Sequence, residues 1–307
     1  MTTATIESRP APRVEMLTCL PFFGVHLACL GAFWTGVSWK AVLLAAALYL
    51  IRMFAITGGY HRYFAHRSYR TSRVFQFALA MVGCSALQKG PLWWSSHHRR
   101  HHLHADTEKD LHSPLTRTLW RSHVGWFLSS ESQATDKKLI SNLITYSDLR
   151  LLDRYYHLPP ALLAVSAFLL GSGLQRYAPT LGTSGPQMLV WGFFISTVLL
   201  YHGTFTVNSL AHIFGKRRYP TEDNSRNNVF VALITLGEGW HNNHHHYPAS
   251  ERQGFYWWEL DVSHYTLRAL SWLGVVWDLR VPPQSIVSPQ RNLNPHTSLQ
   301  GARNDVA

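Results

Sequence analysis

Trp240-His241-Asn242-Asn243-His244-His245-His246 decides how this chain is read. His241, His244 and His245 stand at i, i+3 and i+4, and on a helix such positions share one face. The spacing recurs in His98-Arg99-Arg100-His101-His102, and a looser pair closes His61-Arg62-Tyr63-Phe64-Ala65-His66. Imidazole is the commonest protein metal ligand and suits iron, zinc and copper. One HxxHH stretch is a weak signal. Two of them plus an HxxxxH, among apolar runs of membrane length, make a strong one.

Outward from the histidines, charge and hydropathy are segregated. Mean hydropathy is near zero, yet Met16–Trp39, Tyr155–Gln175 and Tyr177–Gly215 contain no Asp, Glu, Lys or Arg. A helix crosses a bilayer core in about 20 apolar residues. The expected fold is therefore all-α and integral to a membrane. Four transmembrane helices are expected near 16–36, 41–59, 158–174 and 188–207, inside a membrane domain of residues 16–282. Residues 1–15 read as a mobile tail and 283–307 as a disordered one. No cleavable signal peptide is evident.

The net charge is +11, and 25 of the 28 Lys and Arg fall before the first span, between Gly58 and Leu158, or after Val207. The excess follows topology and forms no nucleic-acid-binding stripe, so nucleic acid is excluded as a partner. The positive-inside rule puts that side in the cytoplasm, in a bacterium at the inner membrane. With four spans, all three histidine motifs fall on this same side, although charge and histidine spacing are independent observations. Cys19, Cys29 and Cys84 lack CxxC spacing and read as small core residues.

Other residues carry narrower expectations. Arg52 is expected to snorkel to the inner interface. A five-residue step turns about 500° on an ideal helix, so His61 and His66 converge only if the helix bends or frays. Val74–Gln88 is too short to span and reads as in-plane or re-entrant. Gly90-Pro91 breaks it, and Trp93 and Trp94 read as interfacial aromatics. His97 and His101 offer a competing register in the second cluster. Asp106 and Asp110 read equally as partners that orient ligand histidines or as a solvated loop. Ser122-His123-Val124-Gly125-Trp126 reads as a surface helix. His202 is expected to be packed or hydrogen-bonded rather than a ligand, whereas Asn208 and His212, four apart, point towards the clusters. Trp257, Trp258, Trp272 and Trp277 belong to an expected amphipathic cap over the site.

Eight histidines in three motifs exceed what one tetrahedral zinc takes. Two metals sharing about four imidazoles each, with open positions, fit better and are akin to oxygen-activating non-haem iron centres. The apolar spans alongside suggest an acyl chain positioned to present one C–H bond.

Gly59-Tyr60-His61-Arg62-Tyr63-Phe64-Ala65-His66, Trp94 through His102, Asn208-Ser209-Leu210-Ala211-His212 and Gly237-Glu238-Gly239-Trp240-His241-Asn242-Asn243-His244-His245 together resemble the membrane fatty acyl desaturases of the stearoyl-CoA desaturase type and their bacterial relatives. Ser122 through Trp126 is also similar, and the resemblance covers roughly residues 20–280. It implies a cytoplasmic helical cap over four helices and two irons. The implied ligands are His61, His66, His98, His101, His102, His212, His241, His244 and His245, with Asn208 reaching one iron through water. The implied reaction is O2-dependent removal of two hydrogens from a long-chain acyl group on CoA, acyl carrier protein or lipid. It leaves a cis double bond, commonly between carbons 9 and 10, and consumes two external electrons.

Two features depart from the pattern. No cytochrome b5-like domain, GxGxxG or iron–sulfur cysteine set is visible, so electrons are expected from a separate carrier such as ferredoxin or cytochrome b5. His97 stands beside the usual first ligand of its box. The basic residues Arg70, Arg73 and Lys89 are open to a CoA phosphate or to a lipid-facing role. Rival readings are a membrane di-iron hydroxylase, a zinc-dependent hydrolase with Glu238 as base, and a metal storage or transport protein.

Overall fold

The computed structural model describes residues 14–288, so most of the expected N-terminal tail and residues 289–307 of the expected C-terminal tail lie outside it. The described residues are predominantly helical. Its helices are α1 (Met16–Ala28), α2 (Ala32–Thr35), α3 (Trp39–Phe54), α4 (Arg73–Cys84), α5 (Pro91–His104), α6 (Ser147–Arg154), α7 (Leu158–Tyr177), α8 (Gly185–Leu189), α9 (Ser196–Ser209), α10 (Val229–Ile234), α11 (His241–His246), α12 (Val262–Trp272) and α13 (Gln284–Val287). One short antiparallel ribbon pairs β1 (Arg70–Thr71) with β2 (Val276–Trp277).

Three helical runs are long and apolar enough to cross a membrane: Trp39–Ala65, Leu158–Tyr177 and Gly185–His212. The fourth expected crossing is shorter. Its apolar stretch is Cys19–Thr35, and a 3-10 turn at Cys29–Gly31 separates α1 from α2. Gly36 closes the run at φ +68°, a left-handed position that favours glycine. Ser38 then caps α3, its hydroxyl accepting from the Ala41 N–H at 3.2 Å. On α7 large apolar side chains such as Leu158, Leu162, Val165 and Leu169 face outward. In water that stripe would cost about 25 cal/mol per Å2, so it suits a lipid surround.

The end of α3 is remodelled. From Ala55 to Ala65 the helix is π-helical, and the His66 N–H bonds His61 O at 3.1 Å. An i→i+5 ladder stacks residues five apart, so the bend needed to bring His61 over His66 is built into the backbone. Their ring centroids lie 4.8 Å apart.

Helix α5 is fixed from its neighbour α6. Pro91 occupies the first turn, where its missing N–H is no loss. The next two amides, Leu92 and Trp93, both donate to Asp153 Oδ1 at 3.0 Å. A carboxylate at a helix N-terminus satisfies free donors and complements the dipole. Gly90 permits the approach, since a Cβ there would lie 2.6 Å from the Asp153 Cα.

Several expectations are corrected by packing. Arg52 is buried rather than snorkelling; it donates to the hydroxyls of Ser196 and Thr197 and to the carbonyls of Ser85 and Leu48. A ring of neutral acceptors inside the bundle replaces water for the guanidinium. Trp93 is not interfacial either: it is buried and stacks on Trp126, while Trp94 stacks on His98. The Ser122–Trp126 turn is no surface helix, because Ser122, Val124 and Trp126 are buried against α9 and the aromatic core. Order continues past Pro283 into α13, where Val287 O accepts from the Tyr219 and Tyr256 hydroxyls. Cys19 and Cys84 are buried, and all three cysteines are free.

Candidate metal centre

The nine histidines divide into two groups. His61, His66, His98, His102 and His244 form the first. Their Nε2 atoms converge: His61 to His244 at 3.0 Å, His66 to His98 at 2.7 Å, His98 to His102 at 3.0 Å and His102 to His244 at 2.9 Å. His101, His212, His241 and His245 form the second, with Nε2 contacts of 3.0 Å between His212 and His241 and 3.4 Å between His101 and His245. Within each group the candidate ligand atoms lie within 4.8 Å of one another.

The two HxxHH motifs thus straddle the groups. On α5, His98 and His102 turn to the first group and His101 to the second; on α11, His244 turns to the first and His241 and His245 to the second. Helix α11 has only six residues and is held from outside. Asn227 Oδ1 accepts the amides of Asn242 and Asn243 at 3.0 and 3.1 Å. The Asn242 carboxamide oxygen accepts from the Arg218 and Tyr219 amides, both at 2.7 Å. Asn243 donates to Glu259 Oε2 and Gln253 O, both at 2.9 Å. The two asparagines between the histidines therefore anchor the short helix on the face away from the imidazoles.

Carboxylates set the tautomers of the second group. Nδ1 of His101 donates to Asp110 at 3.0 Å, of His212 to Asp106 at 2.9 Å and of His245 to Asp223 at 2.6 Å. A carboxylate only accepts, so each Nδ1 carries the proton and a neutral ring presents a bare Nε2 inward. Two such acceptors, those of His101 and His245, face each other across 3.4 Å and need a cation between them. Burial pushes the carboxyl of Asp106 up, but the hydrogen bond and charge of His212 outweigh it and hold Asp106 at about 2. Burial works against the charge on His101 too, yet Asp110, Asp106 and Asp223 lift its pKa above the ordinary value. A proton there takes the place open to a metal ion.

In the first group, among the described residues, only His61 is braced by a carboxylate, its Nδ1 donating to Glu238. Glu238 also pairs with Arg62 at 2.9 Å, and Arg62 with Asp261 at 2.9 Å. Burial would raise Glu238, but the charges of His61 and Arg62 hold it at about 2. It is fully engaged, which leaves the hydrolase reading without a free base. Burial first, and then the neighbouring imidazoles, push His66, His98, His102 and His244 well below their ordinary values. Neutral rings with converging lone pairs are the form a metal binds. Nδ1 of His241 and of His244 are buried without a hydrogen-bond partner. The donor set therefore fits two metal ions, one per group.

Residues outside the groups also have defined places. His97 turns away, its ring stacked on Trp93 and its Nδ1 donating to Trp93 O at 2.9 Å. His202 bonds His26 and His123, away from both groups. Asn208 lines a cavity with Met53, Ile56, Trp94, Thr204 and Val207 that reaches His61, His98, His101 and His241. Gln88 donates to Thr204 at 2.8 Å and Trp94 to Gln88 at 3.4 Å along its wall. Asp106 and Asp110 orient histidines, whereas Asp223 escapes sequence reasoning: it stands in a polar linker with no spacing to mark it. Lys89 bonds Gln133 from a buried site, Arg73 pairs with Asp148, and Arg70 with Asp278. From the C-terminal segment Gln253 reaches His61 and Glu238, while Trp257 and Trp272 stay exposed.

Residues 37–276 match the family model described as fatty acid desaturase. The sn-1 stearoyl-lipid 9-desaturase of Anabaena variabilis is 35% identical over 280 residues, 90% of this chain and 98% of that protein. The sn-2 palmitoyl-lipid 9-desaturase of Nostoc sp. (strain 36) is 35% identical over 276 residues, 88% of this chain and 91% of that protein. The acyl-CoA C20 Delta5-desaturase of Anemone leveillei is 36% identical over 265 residues, 85% and 80% of the two chains. These relatives carry desaturase names, so the hydroxylase reading is not favoured. Every histidine of the two groups lies within the matched span. The chain belongs to the fatty acid desaturase family and is an oxidoreductase.

Proposed function

We propose that this protein is an O2-dependent acyl desaturase that introduces a cis double bond at carbon 9 of a long saturated acyl chain. The carrier we favour is a membrane lipid, because the Anabaena and Nostoc relatives with that carrier match along nearly their whole length. His61, His66, His98, His102 and His244 would hold one iron, and His101, His212, His241 and His245 the other, with Asn208 acting through water. When bound, the iron pair supplies O2 activation and the oxidising power to remove two hydrogens. Two electrons come from a separate carrier such as ferredoxin or cytochrome b5.

The chain's own residues position the substrate. Met53, Ile56 and Val207 offer apolar walls to the methylene chain and exclude water from it. Gln88 ties Thr204 to Trp94 and fixes the indole beside His98, so the acyl chain is held against the metal ligands. Asp106, Asp110, Asp223 and Glu238 hold four imidazoles in the ligating tautomer. With Met16–Thr35 as a fourth crossing, the centre lies on the cytoplasmic side of a bacterial inner membrane, in keeping with the basic residues around it.

The observation that carries this reading is the gathering of nine imidazoles into two metal-sized groups beside an apolar cavity. Expression in a host unable to make unsaturated fatty acids tests it, with gas chromatography–mass spectrometry of derivatised esters. A new 9-cis monoene, lost in His244→Ala, with two irons per chain, is the expected result. Hydroxy acids, or a single bound zinc, would overturn it.

A further inference from the structure

A second cavity lies apart from the metal groups and shares no lining residue with the chamber beside them. Its volume is about 540 Å3, within the range of small-ligand sites. Separate segments wall it: the turn after the π-helix, β1 with the first turns of α4, the stretch before α6, and β2 with its continuation. The ribbon register, Arg70 opposite Trp277, holds two of these walls together.

Its polar groups are unmet in a complementary way. Gln76 lines the cavity and is buried, 3% exposed. Its Nε2 donates to the Tyr63 hydroxyl at 3.1 Å, and its Oε1 is buried with no hydrogen-bond partner. The Tyr63 oxygen therefore accepts, and its own hydrogen has no acceptor among the described residues. A buried carboxamide oxygen is costly to leave unmet, so it points to a donor arriving from outside the chain. Turned over, the carboxamide would accept from Tyr63 and leave its NH2 unmet instead, so either orientation calls for a ligand.

Charge adds to this. Arg67, Arg70 and Arg280 line the cavity against one carboxylate, Asp278. Asp278 pairs with Arg70 at 3.3 Å, both side chains exposed, so the wall keeps a positive excess. The guanidiniums of Arg67 and Arg280 have no hydrogen-bond or ion-pair partner among the described residues. Backbone bonds fix both residues: the Arg67 amide donates to Tyr63 O at 3.0 Å, and the Arg280 amide to Ser68 O at 2.9 Å. Arg67 stands at φ +54°, a left-handed position where glycine is the unstrained residue. Apolar side chains frame the same walls. Val74 on the first turn of α4, and Trp272 and Leu273 where α12 leads into β2, are largely exposed. Such side chains suit the head-group zone of a bilayer.

We propose that this cavity binds the head group of a membrane phospholipid, one whose phosphate is followed by a hydroxyl donor, as in phosphatidylglycerol. Arg67 and Arg280 take the phosphate, with the Tyr63 hydroxyl as a further donor, and Gln76 Oε1 accepts from the glycerol hydroxyl. The bound lipid then ties the turn after His66 to the C-terminal segment without touching a metal ligand. The inference goes beyond the desaturase reading and needs only that the chain spans a membrane.

The test uses the full iron-loaded chain in maltoside micelles, which hold no phosphate. Phosphatidylglycerol is titrated in and followed by native mass spectrometry and thermal denaturation. One retained lipid per chain and a midpoint raised by at least about 3 °C are expected. Phosphatidylethanol has the same charge and no head-group hydroxyl; it should bind about tenfold more weakly, and Gln76→Leu should erase that difference. Arg67→Gly relieves the left-handed backbone, so it keeps the fold, yet it should weaken phosphatidylglycerol at least about tenfold. Arg280→Gln should do the same. Arg217→Gln makes an equal charge change at an exposed site outside the cavity and should leave binding unchanged. Equal weakening by Arg217→Gln, or none by Arg67→Gly and Arg280→Gln, would overturn the site. Glycerophosphoglycerol or inorganic phosphate held as tightly as the lipid would assign it to a soluble phosphate and overturn the lipid reading. No retained lipid, with slower reduction of the irons by an acidic protein carrier in Arg67→Gly, would make the patch a protein-docking surface instead. Lipid retention is read apart from alkene formation, so failure of the desaturase reading leaves this test intact.

Discussion

The two imidazole groups are built from the same motifs but held differently. Three of the four rings in the second group are fixed by carboxylates, Asp110, Asp106 and Asp223, whereas the first group has five rings and only Glu238 behind them. Each carboxylate sets a tautomer, restrains a ring and adds negative charge near the ion. Ligand number alone would favour the first group; preorganisation and charge favour the second. The difference teaches that ligand count and preorganisation need not coincide, and the second group is the one expected to hold an ion more tightly.

The largest effects test whether the groups are distinct. His244→Ala and His245→Ala should each abolish alkene formation, with loss on the order of a thousandfold or more. Each should leave one iron, in the second and the first group respectively, which Mössbauer spectra of the purified variants can tell apart. Asp223→Asn comes next. It should weaken iron at the second group about 10–100-fold and spare the first, by chelator titration. Equal weakening at both would mean that the groups act as one site.

Glu238→Gln strikes both a tautomer and a buried ion pair. Arg62 keeps Asp261 but loses one of its two carboxylate partners, so stability should fall by about 3 kcal/mol, read as a lower denaturation midpoint in micelles. In the unaltered chain, a competing chelator should empty the first group several times faster than the second; the reverse order would show that five ligands outweigh three carboxylates. The smallest effect is expected from His97→Gln, with iron content and rate within about twofold of the unaltered chain. A large loss would bring back the competing register on α5.

Much of this centre is legible in the order of residues alone. HxxHH puts histidines on a shared helical face, and α5 and α11 present them so. Yet a shared face is not a shared site: neighbouring positions diverge by about 100° on a helix, enough to send His101 to one group and His102 to the other. HxxxxH is legible only as a pair in need of a bend, since a π-helical ladder depends on its packing and not on any residue code. Asp106 and Asp110 stand near the second motif and invite suspicion. Asp223 does not, because it meets His245 only through the fold. The expectation for Arg52 fails for a related reason: its charge is visible in sequence, but Ser196, Thr197 and the Ser85 carbonyl arrive from other segments.

By itself the sequence determined a helical chain with apolar runs of membrane length, histidines at metal-ligand spacing and a family, because periodicity, composition and local spacing are properties of contiguous residues. Tertiary structure alone decided which imidazoles face one another, which carboxylates brace them, and that His26, His202 and His123 join into a line. Those relations link residues as far as 183 positions apart, as in His61 and His244, and only packing brings them within hydrogen-bonding distance.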